Sequence, residues 1–195
     1  MGKTVEFLFD VGSPASYVAF KRLPAIAERT SATIDWQPFL LGGVFKATGN
    51  HSPAEIPAKG AWTSIDLARF AKRHGVPFER NPFFPINTLH LMRGAAGLQG
   101  DRRFMAYLDA VFDAMWKTPK NLGDPAEMSP VLARAGVGGE EFAALIASED
   151  TKARLKATTE RAVARGAFGA PTFFVGDEMY FGQDRLDWVE EALAS

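Results

Sequence analysis

Apolar and polar positions follow three successive patterns along the chain. Val5-Glu6-Phe7-Leu8-Phe9 is a short run of β-forming residues closed by Asp10-Val11-Gly12, and it reads as a strand ending in a turn. Ser13-Pro14 then supplies a helix start, with a hydroxyl at the N-cap position and a proline at the first helical position. The helix it opens repeats Val18, Ala19, Leu23, Ile26 and Ala27 at helical spacing and fades near Arg29-Thr30. A second strand is predicted over Thr33–Leu40, so the opening segment is a βαβ unit.

From about Val44 the pattern changes. Lys46 to Pro57 is rich in Gly, Pro, Asn and Ser and reads as an irregular loop. Helical periodicity follows, with helices predicted at Thr63–His74, Thr88–Leu98, Arg102–Trp116, Ala126–Ala135, Glu140–Ser148 and Thr151–Arg165. Asp124-Pro125 opens one of these, and the glycines after His74 and Ala135 close two others. β character returns at Pro171-Thr172-Phe173-Phe174-Val175, which a Gly176-Asp177 turn joins to Glu178-Met179-Tyr180-Phe181. A last helix runs from Arg185 to Leu193.

The order βαβ, helices, ββα predicts an α/β protein: a thioredoxin-like fold (βαβ…ββα) with a large all-helical insertion. Residues 1–45 and 166–195 would form the thioredoxin-like part and residues 46–165 the helical insertion domain. A length of 195 residues with 47% apolar content suits one domain carrying such an insertion. A formal net charge of −1 favours neither a nucleic-acid nor a membrane partner by electrostatics. The N-terminus lacks the apolar core of a signal peptide, and no window approaches the roughly 20 apolar residues of a membrane span, so a cytoplasmic location is expected. The absence of cysteine has the largest chemical consequence. It excludes disulfides, thiolate metal sites, thiol nucleophiles and dithiol redox chemistry within the chain.

Three segments carry candidate chemistry. Ser13-Pro14-Ala15-Ser16 stands where a thioredoxin fold places Cys-x-x-Cys at a helix start, with both sulfurs replaced by hydroxyls. A hydroxyl there cannot exchange disulfides, but it can donate a hydrogen bond to a thiolate brought by another molecule. Taken alone, Ser13 reads first as a helix cap, since Ser-Pro helix starts are common. Gly169-Ala170-Pro171-Thr172 precedes a strand, the place of a cis-proline whose preceding residue offers its backbone to a peptide-like ligand. Taken alone, this is also an ordinary turn proline. Gly182-Gln183-Asp184-Arg185 opens the last helix, where free N–H groups receive a carboxylate, Asp184 suits an ammonium and Arg185 a carboxylate; Asp184 is also a natural cap. His51, His74 and His90 lack the mutual spacing of a metal site, and no metal is expected. Phe104, Met105, Phe112, Met115 and Trp116 lie at core spacing, whereas Phe83 and Phe84, between prolines, suit a pocket wall.

Together these segments resemble the 2-hydroxychromene-2-carboxylate isomerases, bacterial relatives of kappa-class glutathione transferases within the DsbA-like branch of the thioredoxin superfamily. The resemblance is carried by Phe7–Tyr17, by Thr48-Gly49-Asn50 with Pro57-Ala58-Lys59, by Asn81–Thr88, by Phe168–Met179 and by Phe181–Leu186. It implies a glutathione-dependent isomerase converting 2-hydroxychromene-2-carboxylate to trans-o-hydroxybenzylidenepyruvate in aromatic catabolism. Ser13 would contact the glutathione sulfur, Ala170 before a cis-Pro171 the cysteinyl backbone, and Gln183, Asp184 and Arg185 the γ-glutamyl end. Lys46, Glu55, Ile56 and Phe84 would face a small aromatic substrate, and a homodimer is implied. Gly-Ala-Pro and Gly-Gln-Asp-Arg stand where the family often has Gly-Val-Pro and Gly-Asn-Asp-Arg; Ala170 would act through its backbone and Gln183 keeps an amide. The same glutathione site would serve a kappa-class-like transferase or peroxidase acting on other electrophiles. A redox-silent module that grips extended peptides is the alternative from outside enzymology.

Overall fold

The computed structural model describes residues 2–195. Strand β1 (Thr4–Phe9) leads through the Asp10–Ser13 turn into helix α1 (Pro14–Thr30), and β2 (Thr33–Pro38) returns beside β1. Near the other end, β3 (Thr172–Val175) and β4 (Glu178–Phe181) form a hairpin. The sheet order is β2-β1-β3-β4, with β1 and β2 parallel and the other two pairings antiparallel. This is the mixed sheet expected of a thioredoxin-like βαβ…ββα frame. Between the two parts lie α2 (Leu41–Thr48), α3 (Pro57–Arg73), α4 (Leu89–Leu98), α5 (Phe104–Trp116), α6 (Pro125–Arg134), α7 (Gly139–Ala147) and α8 (Glu149–Ala164). After β4, a 3-10 turn at Gln183–Arg185 runs directly into α9 (Leu186–Ala194).

Alternation along β1 assigns its two faces. Val5, Phe7 and Phe9 enter one buried cluster, which also takes Tyr17, Phe20 and Leu23 of α1, Phe112 and Trp116 of α5, and Leu186, Val189 and Leu193 of α9. Leu8 points the other way and joins Phe39, Val44, Ala162 and Phe174 in a smaller cluster. Aromatic rings join the sheet to the helices. Phe7 lies 5.2 Å from both Phe9 and Phe173, and Phe112 lies 4.7 Å from Phe20, 5.9 Å from Phe9 and 6.1 Å from Tyr17. The helices between β2 and β3 therefore share a core with the strands and α1.

Two segments differ from the pattern-based expectation. Residues 46–48, expected in a loop, belong to α2, which the Gly42-Gly43 pair conceals because each glycine lowers helix propensity by about 1 kcal/mol. Packing explains the second of them, since a Cβ on Gly43 would stand 3.2 Å from the Thr159 methyl group on α8. Helix α3 begins at Pro57, six residues before the predicted Thr63, with proline at its first position and its first turns largely exposed. Glu55 accordingly sits in a 3-10 turn, Pro53–Glu55, rather than in open loop.

Replacing Phe112 with alanine removes the ring that bridges α5, α1 and β1. Truncation of such a fully buried aromatic is expected to cost about 3–5 kcal/mol, read as a lowered urea midpoint with an unchanged m-value. A loss under 1 kcal/mol would refute the shared core.

Candidate active site

The turn between β1 and α1 is held from every side. Asp10 is buried, and its two carboxylate oxygens accept from the backbone N–H groups of Gly12 and Leu41, each at 2.9 Å. The Thr88 side chain lies near enough to favour the ionised form as well. Burial pushes this carboxyl above its ordinary value, opposed by those three groups. Gly12 has no room for a side chain, because a Cβ would approach a Thr88 methyl at 2.8 Å. Trp116 Nε1 donates to the Val11 carbonyl at 2.8 Å, and the Val11 N–H points at Met92 sulfur at 3.3 Å.

Ser13 emerges from this turn as the N-cap of α1. Its N–H donates to the Asp10 carbonyl at 2.9 Å, and its Oγ accepts from the Ser16 N–H at 3.1 Å. The remaining hydroxyl proton goes to the Ala170 carbonyl, also at 3.1 Å. Ser13 is only 4% exposed. Cap and cross-chain contact are thus both present, made by different lone pairs and the proton of one oxygen. Ser16 Oγ is buried and has no hydrogen-bond partner among the described residues.

The Ala170–Pro171 bond is cis, and the Pro171 carbonyl accepts from the Gly182 N–H at 3.0 Å, which sets the 3-10 turn beside the proline loop. Gly182 has φ 101°, a conformation glycine adopts without strain. Gln183 is buried, and its carbonyl and side-chain oxygens accept from Arg22 Nη1 at 2.9 and 3.3 Å. Asp184 and Arg185 are exposed, paired at 2.6 Å, and the Arg185 guanidinium lies 5.1 Å from the Trp188 ring.

Ser13, Ala170, Pro171 and Gln183 are therefore brought together, with Asp184 and Arg185 next in line. The four residues expected to face substrate are placed differently. Lys46 is exposed in the last turn of α2, and Glu55 closes a capping box with Ser52 and meets His51 at 3.4 Å. Ile56 is half exposed ahead of α3, while Phe84 is half-buried with its ring 5.8 Å from Trp116. Among the described residues, no hydrogen bond or ion pair joins these four to Ser13. Phe83, its neighbour, is 52% exposed.

Three residues with structural roles here carry no such role in the sequence reading. Asp10 lies inside the opening motif, where only a fold reveals that it gathers polar groups from three segments. Arg22 is one charged residue among several on α1, and nothing local marks it. Asn50, within the Thr48-Gly49-Asn50 motif, donates from Nδ2 to the Phe168 carbonyl at 2.8 Å and ties the end of α2 to the proline loop.

A strand feeding a hydroxyl-capped helix that faces a cis-proline loop defines a thioredoxin-like protein of the DsbA type, with serines in place of the dithiol. The chain belongs to the DSBA-like thioredoxin domain family, whose model matches residues 4–194, and within it to the 2-hydroxychromene-2-carboxylate isomerases. It is 32% identical over 195 residues to the 2-hydroxychromene-2-carboxylate isomerase of Pseudomonas putida, covering 97% of this chain and 93% of that one. The solved structure of a 2-hydroxychromene-2-carboxylate isomerase superposes with a TM-score of 0.86 at 30% identity, over 97% of this chain and 93% of that chain. Glutathione S-transferase kappa 1 of Homo sapiens is 27% identical over 210 residues, covering 98% and 91% of the two chains. The protein is an enzyme of this family.

The raised Asp10 carboxyl has a consequence for stability. A folded-state value above the ordinary 3.8 means that its contribution is fully present below that pH and is lost as pH rises through the folded value. Asp10→Asn removes this titration but keeps its packing offset at every pH. The stability of wild type relative to Asp10→Asn, from urea unfolding, is therefore expected to fall as pH rises from below 4 toward neutrality. A difference independent of pH would contradict it.

Proposed function

We propose that the protein isomerises 2-hydroxychromene-2-carboxylate to trans-o-hydroxybenzylidenepyruvate with glutathione as a bound catalytic thiol. The carrying observation is the contact from Ser13 Oγ to the Ala170 carbonyl at 3.1 Å, at a helix start, in a chain without cysteine. Glutathione, when bound, supplies the nucleophilic sulfur that adds to the ring-opened substrate and leaves again after rotation about the bond made single. The donor set fits such a ligand. The Ala170 backbone lies beside Ser13, the Gln183–Arg185 turn leaves its leading N–H groups without helical acceptors, and a carboxylate and a guanidinium stand side by side at Asp184 and Arg185.

Ser13 holds the proton that matters. Its hydroxyl proton rests on a neutral carbonyl, and redirecting it to a charged sulfur exchanges a neutral hydrogen bond for a charge-assisted one, which is stronger. The start of α1 adds favourable dipole interaction with the same negative charge. The Ser16 N–H stays on Ser13 Oγ throughout and keeps that oxygen in place. Ser13 has no histidine or carboxylate bonded to Oγ, so it acts as a donor to the sulfur and not as the attacking group. Lys46, exposed at the end of α2, pairs with the substrate carboxylate. Glu55, Ile56 and Phe84 complete the aromatic site on the same reading, and the enzyme works as a cytoplasmic homodimer.

The kappa-class match carries a second reading, conjugation or peroxide reduction with the same glutathione site. Turnover of the chromene against turnover of a chloronitrobenzene separates the two, and failure to bind glutathione by calorimetry overturns both in favour of a binding module.

Ser13→Ala is expected to lower glutathione-dependent turnover by roughly 10- to 100-fold, the equivalent of about 1.5–3 kcal/mol from one hydrogen bond to a charged group, with a smaller loss of glutathione affinity. Loss of the cap costs about 1 kcal/mol of stability besides, so turnover is measured well below the unfolding transition. Unchanged turnover removes Ser13 from the mechanism. Lys46→Met is expected to raise KM for the chromene while glutathione binding stays as in the wild type. An unaltered KM removes the carboxylate contact.

A further inference from the structure

Arg22 is the cation behind the Gln183–Arg185 turn. Its side chain is 11% exposed, while that of its ion-pair partner Asp187, 3.1 Å away on α9, is 78% exposed. Burial lowers its pKa, and it remains a guanidinium at neutral pH. One nitrogen, Nη1, donates both to the Gln183 carbonyl at 2.9 Å and to the Gln183 side-chain oxygen at 3.3 Å.

We propose that Arg22 is a positioning residue that fixes the polarity of the γ-glutamyl subsite, making Gln183 a donor to the α-carboxylate of the bound thiol. The proposal rests on the glutathione reading given above. Two steps carry it. A side-chain amide has one acceptor oxygen and one NH2 group, and a guanidinium has donors only. With Oε1 held by Arg22, a flipped amide would set N–H against N–H, so Nε2 is fixed on the opposite side. Nε2 makes no hydrogen bond among the described residues, and it is not among the polar atoms shut away from solvent. It is a free donor on an otherwise buried residue.

The backbone of the turn adds a second donor. In a trans peptide the C=O and the following N–H point in opposite directions. Arg22 draws the Gln183 carbonyl toward itself, which turns the Asp184 N–H away from α1 and out of the turn. Gln183 Nε2 and the Asp184 N–H then form a pair of donors for one carboxylate, with the Asp184 side chain left for an ammonium. Arg185 is already engaged by Asp184 and faces the Trp188 ring, so it does not have to carry carboxylate recognition alone. Such a site selects a ligand with a free α-carboxylate. It penalises an α-carboxamide, whose NH2 would meet donors.

The test is calorimetric titration of the full-length protein with glutathione and with its analogue bearing a carboxamide in place of the glutamyl α-carboxylate, alongside steady-state kinetics. The wild type is expected to prefer glutathione by about tenfold or more. Arg22→Ala is expected to lose most of that preference, with the effect falling on KM for glutathione and not on kcat at saturation. Arg22→Lys, with a single point donor for two oxygens, is expected to recover part of it. Gln183→Glu keeps Arg22 partnered, so it guards against loss of fold, yet it has no donor left and is expected to abolish the preference. A merely structural Arg22–Gln183 contact would leave selectivity intact in Gln183→Glu, and that result overturns the proposal, as does wild-type selectivity in Arg22→Ala. A wild type that binds neither compound overturns the glutathione reading as well, whereas one that binds both equally overturns only the role of Arg22.

Discussion

The hydrogen bond from Ser13 to the Ala170 carbonyl joins residues 157 positions apart, and the architecture around it exists to keep those two groups in register. On one side, β1 delivers Ser13 through a turn that Asp10, Gly12, Trp116 and Met92 hold rigid. On the other, β3 pairs antiparallel with β1 and sets the proline loop across from the helix start. The Gly182 N–H on the Pro171 carbonyl then carries the same alignment to the 3-10 turn. A displacement of either strand would break the contact, so sheet pairing and site geometry are one constraint.

Asp10 sharpens the electrostatics of that arrangement. A negative charge on Asp10, three residues from Ser13, would oppose a thiolate held at the same helix start. Burial raises the Asp10 carboxyl, which weakens that opposition, while the Gly12 and Leu41 N–H donors favour the ionised form. Among the described residues no cation is bonded to it, in contrast to Glu6 within β1, which meets Arg165 at 2.8 Å. On the glutathione reading, the helix dipole and the Ser13 hydroxyl hold the negative charge, and the largely buried cation Arg22 stands behind the subsite proposed to receive the ligand carboxylate.

Regular periodicity made much of this legible. The strands, α1 and helices α4 to α9 follow from apolar spacing and caps, because each buries a stripe or face against the core. Helix α2 is hidden in the sequence because Gly42 and Gly43 argue against a helix, and only tertiary contact with α8 explains Gly43. Ser13, Ala170, Pro171 and Gln183 were readable as motif residues since each sits at an element boundary that the fold brings together. Arg22 was not, because its role depends on which atoms of Gln183 it reaches across two helices, and no local pattern encodes that. The substrate side is the least legible for a related reason. Lys46, Glu55, Ile56 and Phe84 sit on segments whose side chains answer to neighbours in their own vicinity, His51 and Ser52 for Glu55 and Trp116 for Phe84.

Removing both sulfurs from a thioredoxin-like frame changes where its chemistry must come from, not how it is held. The helix start still favours an anion, and the proline loop still offers a backbone to an extended ligand. A hydroxyl at Ser13 has no disulfide chemistry and no bonded base to make it a nucleophile, so the reacting atom has to arrive with a ligand. Ligand recognition then carries part of the catalytic burden, because a sulfur presented by a loosely held thiol would not reach a productive geometry. On the glutathione reading, the largely buried Arg22 guanidinium behind Gln183 serves that recognition at the end of the ligand remote from Ser13, where it governs binding and leaves the chemical step at saturation to Ser13.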